Sequence, residues 1–296
     1  MNQIARRAFL KTITAAGIVA TNASAFAESP TRYKIIGFTK PFQELGPEEC
    51  AAAVEQIGWD GIECPVRPKG QIEPERAADE LPKLIGALKK RGKEVTVLTS
   101  AITSATPEAE RLLRLAHQLG INRYRVGFIS YTNKSPIEDQ VREISAKLRD
   151  LAVLNKEIGI TGGVQNHSGS GWFSCAVWDV WMAIKDLDPH FLGSFFDIAH
   201  ATIEGGLSWP VEARLMEKYF MTVSVKDFIW EKTANGGKSK WVPLGDGLVS
   251  KKFFDWLKTT KFNGPISHHA EYELGSGKEM IAKLQKDVEV LKGWLA

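Results

Sequence analysis

The sequence has few cysteines and little net charge, and each shortage excludes a class of protein. Its three cysteines are Cys50, Cys64 and Cys175, an odd number without a C-x-x-C pair or a cysteine–histidine cluster. We therefore expect neither a disulfide framework nor a structural zinc site. The formal net charge is only +3 among 296 residues. A near-neutral chain lacks the strongly basic surface with which proteins bind nucleic acids, so no nucleic-acid partner is predicted.

Long apolar runs are missing beyond the first 27 residues. No stretch there approaches about 18 uninterrupted apolar residues, the length typical of a membrane-spanning helix, so stable membrane insertion is not expected. Glycine-rich phosphate loops of the G-x-G-x-x-G or P-loop kind are missing as well, which argues against nucleotide binding. The composition is otherwise ordinary for a globular protein with a large core, with 44% apolar and 25% charged residues.

The N-terminal segment has the features of a targeting peptide. Arg6 and Arg7 precede Phe-Leu-Lys and a mild apolar run over residues 13–20, and Ala25-Phe26-Ala27 is typical of a cleavage site. Paired arginines in this position resemble the twin-arginine signal. We therefore predict a twin-arginine signal peptide over residues 1–27, with a mature domain over residues 28–296. The twin-arginine translocase is then a partner during export, and the mature protein is periplasmic or otherwise exported. An ordinary secretory signal and an uncleaved anchor remain the alternatives.

Short apolar segments alternate eight times with amphipathic ones along the mature chain. The predicted strands are Tyr33–Thr39, Gly61–Pro65, Glu94–Thr99, Arg123–Gly127, Thr161–Asn166, Gly193–Ile198, Met221–Lys226 and Pro265–Ala270. The predicted helices are Pro47–Ile57, Ala77–Arg91, Pro107–Leu119, Pro136–Ile158, Ala176–Leu187, Val211–Lys218, Ser250–Thr259 and Lys278–Leu295. Such alternation predicts an α/β fold with a parallel sheet and right-handed crossovers. Eight units in about 270 residues favour a closed (β/α)8 TIM barrel that forms a single domain.

Polar side chains follow five of the predicted strands. In this kind of barrel the catalytic groups lie at the C-terminal ends of the strands, so we expect these side chains to meet at one mouth. They are Glu63, Gln165, Asn166, His167, Asp197, His200, Ser224, Lys226, Asp227, His269 and Glu271. Nine tryptophans are many for this length, and some of them are expected to line a sugar-binding cleft.

Six short motifs at these strand ends occur in the chain order of one known family. They are GWDGIE at 58–63, GVQNHSG at 163–169, FDIAH at 196–200, VSVKD at 223–227, PLGDG at 243–247 and GPIS at 264–267 followed by Glu271. In these motifs the sequence resembles the xylose-isomerase-like barrel family, over essentially the whole mature chain. The resemblance implies a sugar isomerase- or epimerase-like enzyme whose substrate is a small carbohydrate.

The resemblance also implies a divalent metal ion, such as Mn, Mg, Co or Zn. Typical members hold it with Glu, Asp, His and Glu from strands five to eight, and these positions fall on Gln165, Asp197, Ser224 and Glu271. The metal ligands implied for this chain are Gln165, Asp197 and Glu271. A glutamine carbonyl oxygen suits a hard cation, whereas Ser224 is a poor ligand that His269, His167 or water would have to replace.

Gln165 cannot accept a proton, so the family's symmetric epimerisation with two carboxylate bases is not expected. We predict instead that the protein acts on a free sugar or keto-sugar by metal-assisted proton abstraction next to a carbonyl. Glu271 would be the base, or a metal ligand, and Lys226 and His200 would polarise the substrate oxygens. The predicted substrate contacts are Glu63, His167, Trp172, Asp227 and His269.

Several alternatives stay open at this point. The same fold would serve a keto-glycoside lyase or hydratase, or a non-catalytic carbohydrate-binding barrel with a degraded metal site. Asp197 would serve equally well as a helix cap, with His200 a buried imidazole, and Lys226 and Asp227 as an ion pair. An abasic-site endonuclease is disfavoured because the chain is near neutral and has only six histidines.

Overall fold

The structure of the protein is a computed structural model that describes residues 32–234 and 236–296. The predicted signal peptide lies outside these residues. The strands are β1 Ile35–Phe38, β2 Gly61–Pro65, β3 Glu94–Thr99, β4 Arg123–Arg125, β5 Thr161–Gln165, β6 Leu192–Asp197, β7 Phe220–Val225, β8 Asp227–Thr233, β9 Gly236–Val242 and β10 Ile266–His268. The helices are α1 Pro47–Ile57, α2 Ala77–Lys89, α3 Pro107–Gln118, α4 Ile137–Ile158, α5 Val177–Ile184, α6 Ile198–Gly205, α7 Trp209–Met216, α8 Lys251–Leu257 and α9 Gly277–Leu295.

Eight of the strands close into a barrel. Strands β1 to β7 pair in sequence order, each parallel to the next, and β10 closes the ring between β7 and β1. All eight predicted strands overlap the observed ones, which confirms the single-domain TIM barrel. Within the described ranges, no helix is long and apolar enough to cross a membrane.

Three elements were not predicted, namely the two strands of a hairpin and one helix. Strands β8 and β9 form an antiparallel hairpin directly after β7, outside the barrel. Half of its strand residues are exposed and only its first two are buried, so its sequence lacks the alternation of buried and polar residues that identifies a strand. Helix α6 was missed because it begins directly after β6 and spans only eight residues. The side chain of Asp197 caps α6 by accepting the backbone N–H of His200, as the helix-cap alternative foresaw.

The main core lies between the barrel strands and the surrounding helices. Trp59, between α1 and β2, is 1% exposed and packs against Phe42 and His268, with ring centroids 5.9 Å away in both cases. Its ring also lies so close to Gly37 of β1 that no side chain fits between them. The barrel wall at β1 therefore depends on a glycine opposite this tryptophan.

Gly37→Ala should destabilise the protein, whereas Gly86→Ala on an exposed turn of α2 should not. A methyl group at position 37 would lie 2.2 Å from Trp59 ring atoms, whereas one at position 86 meets nothing within 4 Å. We expect the first change to lower the free energy of unfolding by about 1–3 kcal/mol or more. The second should raise it by about 0.5–1 kcal/mol, because alanine favours a helix more than glycine does. Urea unfolding measures both, and equal effects would contradict this account of the wall.

Candidate functional site

The candidate site lies at the C-terminal ends of the barrel strands, above an apolar floor. Ile36, Val97 and Phe195 are completely buried in a small cluster that is separate from the main core. Side chains alternate along a strand, so residues two positions further on face the same side. On these three strands they are Phe38, Thr99 and Asp197. The floor therefore leads directly into the polar layer.

Glu63, the middle residue of β2, binds several neighbours at once. Its Oε2 accepts a hydrogen bond from Ser267 Oγ at 2.6 Å and lies 2.7 Å from His269 Nε2, and its Oε1 accepts one from Thr99 Oγ1. Burial alone would raise the pKa of Glu63, but His269, Arg125 and Ser267 together lower it to about 2. The carboxylate is thus ionised. The predicted substrate contacts Glu63 and His269 are both buried, and they bind each other.

Arg125, on β4, is a site residue that the sequence prediction missed. Its Nη1 donates a hydrogen bond to Gln165 Oε1, and its Nε lies 3.7 Å from Glu63 Oε1. The guanidinium carbon lies 5.2–5.8 Å from the ring centroids of Phe38, Phe128 and Phe195. It is only 4% exposed. The available signal was the pair of arginines in the short strand Arg123–Arg125, because a guanidinium that a barrel strand buries requires partners.

Asp197, the last residue of β6, is held by side chains from β5 and β7. Its Oδ2 accepts hydrogen bonds from Gln165 Nε2 at 2.9 Å and Ser224 Oγ at 3.1 Å. The side-chain amide of Asn166 bonds to both the backbone N–H and the backbone carbonyl of Asp197, at 2.8 and 2.9 Å. Burial opposes ionisation, but the charge of Lys226 and the hydrogen bond from the His200 backbone N–H hold the pKa of Asp197 well below its usual range. Asp197 is therefore both a helix cap and a charged member of the site.

Lys226, just after β7, lies between two carboxylates. Its Nζ donates a hydrogen bond to Glu271 Oε1 at 2.8 Å and lies 3.5 Å from Asp197 Oδ2. The side chain of Lys226 is 2% exposed, whereas that of Glu271 is 24% exposed. Burial alone would raise the pKa of Glu271, but the charge and hydrogen bond of Lys226 outweigh that effect and lower the pKa to about 2. Glu271 is thus an ionised carboxylate that solvent can reach.

Two histidines form a second group at the mouth. The rings of His167 and His200 lie 3.9 Å apart, and Ser168 Oγ lies 2.8 Å from His200 Nδ1. Burial and the neighbouring Lys226 lower the pKa of both imidazoles, so both are neutral near pH 7. Among the described residues, His200 Nε2 has no hydrogen-bond partner, since Asp197 Oδ2 is 3.8 Å away. This nitrogen is therefore a buried polar atom without a partner in the described part of the chain.

Tryptophans border the histidine pair on both sides. Trp172 lies 6.4 Å from His167 and 5.5 Å from Phe128, between ring centroids. Trp241 comes from the unpredicted hairpin, with its ring centroid 5.4 Å from that of His200 and 4.5 Å from Lys226 Nζ. Trp241 was missed because its position depends on a hairpin that the sequence pattern did not reveal.

Asp227 has a different environment from the other predicted site residues. Its carboxylate accepts four backbone N–H groups, from Phe228, Gly245, Gly247 and Val249, at 2.9–3.1 Å. Burial raises the pKa of Asp227, and these four hydrogen bonds oppose that shift. The carboxylate anchors the loop over residues 245–249. Its role in substrate binding stays a prediction, and this arrangement does not favour it.

The predicted metal ligands do not form a metal site in this arrangement. Gln165 Oε1 accepts from Arg125, and its amide N–H faces Asp197. Lys226 lies between Asp197 and Glu271, so a positive group already occupies the space between the two predicted carboxylate ligands. Across the part of the chain that the structure describes, no three His, Cys, Asp or Glu residues are placed to hold an ion. The residues as arranged therefore do not fit the divalent metal that the sequence motifs implied.

The sequence and the fold are both similar to those of known proteins. Residues 51–294 match the model of a protein family described as xylose isomerase-like TIM barrel. No curated protein matches the sequence. Among solved structures, the 3-keto-D-glucoside 4-epimerase from E. coli is 14% identical, with a TM-score of 0.68 over 88% of this chain and 99% of that chain.

Two further solved structures have the same fold. A xylose isomerase-like TIM barrel protein from Mycobacterium smegmatis, solved in complex with magnesium, is 14% identical, with a TM-score of 0.67 over 89% of this chain and 98% of that one. The D-psicose 3-epimerase from Clostridium cellulolyticum H10, solved with D-tagatose, is 12% identical, with a TM-score of 0.66 over 88% of this chain and 99% of that one. At such identities the likeness shows the fold alone.

Glu63→Gln should destabilise the protein at neutral pH, and the loss should shrink in acid. Removing this buried carboxylate leaves Arg125 and His269 without their partner, which should cost about 3–5 kcal/mol. The pKa of Glu63 is lower in the folded state than its ordinary 4.5, so its contribution is present above that pH and is lost as the pH falls toward about 2. Between these pH values, the difference in the free energy of unfolding between wild type and variant should narrow by about 3 kcal/mol. Urea unfolding at a series of pH values measures it.

Glu94→Gln is the matched control for this change. Glu94 pairs with Lys34 at 2.7 Å, but the two side chains are 48% and 60% exposed. Exposed pairs contribute less than about 1 kcal/mol, so this variant should stay close to wild type at every pH. Similar losses in the two variants would show that the buried Glu63 network does not stabilise the barrel.

Proposed function

Because the chain belongs to the xylose isomerase-like TIM barrel family, we propose that it acts on a free sugar or keto-sugar by moving a proton at the carbon next to a carbonyl group. The observation that carries this proposal is the pair formed by Lys226 and Glu271 at the barrel mouth. The pair places a buried positive group 2.8 Å from a carboxylate that solvent can reach. A carbonyl oxygen on the first and the adjacent C–H at the second meet the geometric need of such a reaction.

Glu271 is the base in this proposal because it is the most accessible acid of the cluster. Asp197 and Glu63 are completely buried, whereas the Glu271 side chain is 24% exposed. Its pKa of about 2 in the free protein makes it ionised but weakly basic. A carbonyl oxygen that accepts a hydrogen bond from Lys226 weakens the ion pair, and the basicity of Glu271 then rises at the point where it is needed.

The remaining mouth residues suit a carbohydrate. The neutral His167 and His200 offer ring nitrogens to hydroxyl groups, and His200 Nε2 lacks a partner among the described residues. Trp172 and Trp241 present flat apolar rings on either side of the histidines, which match the C–H face of a sugar. Aldose–ketose isomerisation and β-elimination begin with the same proton abstraction, so this site suits an isomerase and a lyase or hydratase equally.

Deuterium exchange tests the proposed chemistry directly. Incubated in D2O with a panel of ketoses and keto-glucosides, the wild type should exchange the proton next to the carbonyl of at least one sugar, as seen by NMR. Glu271→Gln should slow this exchange by about 10²–10⁴-fold, the usual contribution of a general base. Lys226→Met should slow it as well, because the developing negative charge on oxygen loses its partner.

Glu273→Gln and Lys232→Met are the matched controls. Both residues are exposed and lie outside the cluster, so exchange should stay at the wild-type rate in both variants. Equal rates in wild type and Glu271→Gln would remove Glu271 from the role of base. The product spectrum separates the reactions, because isomerisation conserves the sugar's mass and elimination forms a dehydrated product.

A non-catalytic sugar-binding barrel is the second candidate function. It is favoured by the self-contained inner cluster, in which Glu63, Gln165 and Asp197 all bind neighbouring protein side chains. In the same experiment this function would appear as sugar binding by calorimetry without deuterium exchange for any sugar of the panel. Binding would then survive Glu271→Gln.

We further propose that residues 1–27 direct export by the twin-arginine route, which rests on the sequence motif alone. In a bacterial host with that translocase, the wild type should yield a periplasmic protein that begins at Glu28, detected by fractionation and N-terminal sequencing. The double change Arg6→Lys with Arg7→Lys should leave the uncleaved precursor in the cytoplasm. Lys11→Arg, which keeps the paired arginines and the charge, should be exported normally. Normal export of the double variant would favour an ordinary secretory signal.

A further inference from the structure

We infer that the ammonium group of Lys226 supplies the positive charge that the sequence motifs assign to a divalent metal, so that this barrel holds no resident metal ion at its mouth. The inference deepens the proposed function, because it names the cation of the same site. It does not depend on turnover, because the presence or absence of a bound ion is measured on the protein alone.

The ammonium group of Lys226 lies between the two carboxylates of the predicted metal site. The motif positions of the metal ligands fall on Gln165, Asp197, Ser224 and Glu271, and an ion there would bridge the two carboxylates. In the structure Lys226 Nζ makes that bridge, 2.8 Å from Glu271 Oε1 and 3.5 Å from Asp197 Oδ2. A second cation in the same place would meet like charge at close range.

The side-chain amide of Gln165 is held in one orientation by its two neighbours. Its two amide atoms have opposite partners, since Arg125 can only donate and the ionised Asp197 can only accept. The carbonyl oxygen is therefore bound to Arg125, and the NH2 group faces Asp197 Oδ2 at 2.9 Å. Metal coordination requires the carbonyl oxygen, which is committed to a guanidinium. The amide thus presents hydrogens where an ion would need an oxygen.

Ser224 binds the carboxylate of Asp197. Its hydroxyl donates a hydrogen bond to Asp197 Oδ2 at 3.1 Å. The same oxygen accepts a hydrogen bond from Gln165 Nε2 and faces Lys226 Nζ. Serine is also small, and Lys226 lies two residues further on and hence on the same side of the chain. The short side chain leaves the space above it to the lysine.

The charges of these side chains are consistent with an ammonium as the cation of the site. Replacement of a glutamate by Gln165 removes one negative charge from the motif, which leaves Asp197 and Glu271 as its carboxylates. Lys226 neutralises one of them, and the ring of Trp241 stabilises the ammonium by lying 4.5 Å from it. The departures at Gln165 and Ser224 therefore fit a site in which the ammonium of Lys226, a residue of the motif itself, is the cation.

Metal titration of the full-length protein tests this inference. After dialysis against a chelator, titration with MnCl2, MgCl2, CoCl2 or ZnCl2 should give no stoichiometric binding heat. The Tm should stay the same with and without about 1 mM of each salt, because only a ligand that binds the folded state raises it. Elemental analysis of protein purified without chelator should find far less than one metal ion per chain. One bound ion per chain, with a Tm that rises with its concentration, would overturn the inference.

A variant that rebuilds the motif gives the positive control. The triple change Gln165→Glu, Ser224→His and Lys226→Met supplies Glu, Asp, His and Glu at the four positions. It should bind Mn²⁺ at one ion per chain, at least about 100-fold more tightly than the wild type, and with a raised Tm. A folded triple variant, checked by circular dichroism, that binds Mn²⁺ no better than the wild type would contradict the inference. If the variant does not fold, the wild-type titration decides the question alone.

The outcome is separable from that of the proposed function. A protein without deuterium exchange on any sugar, but also without metal binding, would lose the proposed reaction and keep the ammonium as its cation. A protein that exchanges deuterium only after metal addition would keep the reaction and lose this inference.

Discussion

The mouth of this barrel depends on the pairing of three buried or half-buried carboxylates with two buried cations. Glu63, Asp197 and Glu271 carry the negative charges, and Arg125 and Lys226 carry the positive ones. Taking any of these groups out of water is costly unless a partner of opposite charge comes with it. Each charge therefore fixes the position of the next, and the polar layer is a connected network rather than a set of independent residues.

The surrounding scaffold is arranged to hold that network still. An apolar floor supports it from within the barrel, and three phenylalanine rings surround the guanidinium of Arg125. Asp227 binds four backbone N–H groups, three of them from residues 245–249, which fixes that loop beside Lys226. The hairpin then places Trp241 over the ammonium. Rigid surroundings of this kind keep charged groups in one geometry, which proton transfer requires.

The sequence predicted the fold and the location of the site better than it predicted the contacts. Eight strands follow from local patterns, and strand ends meet at one mouth by the geometry of the barrel, so Gln165, Asp197, Lys226 and Glu271 were expected together. Their partners depend on tertiary packing, which one sequence does not reveal. Arg125 was overlooked because it lies within its strand and not in one of the strand-end motifs, and no motif indicated that the lysine would lie where a metal was expected. The assignments of Glu63 and His269 to a substrate assumed free side chains, whereas the two bind each other.

The exchange of a metal for an ammonium has consequences for the reactions open to the site. A metal ion polarises a carbonyl oxygen without giving up a proton, whereas an ammonium group donates one. Lys226 and Glu271 lie 2.8 Å apart, so in the proposed function they would act as acid and base on one side of the sugar. Such a pair removes and returns a proton on a single face. Inversion at carbon needs a second proton carrier on the opposite face, and Gln165, at the position the family motif gives to a carboxylate, cannot accept a proton. Within the proposed function, the chemistry therefore favours transfer of a proton between neighbouring atoms, or loss of a leaving group, over epimerisation.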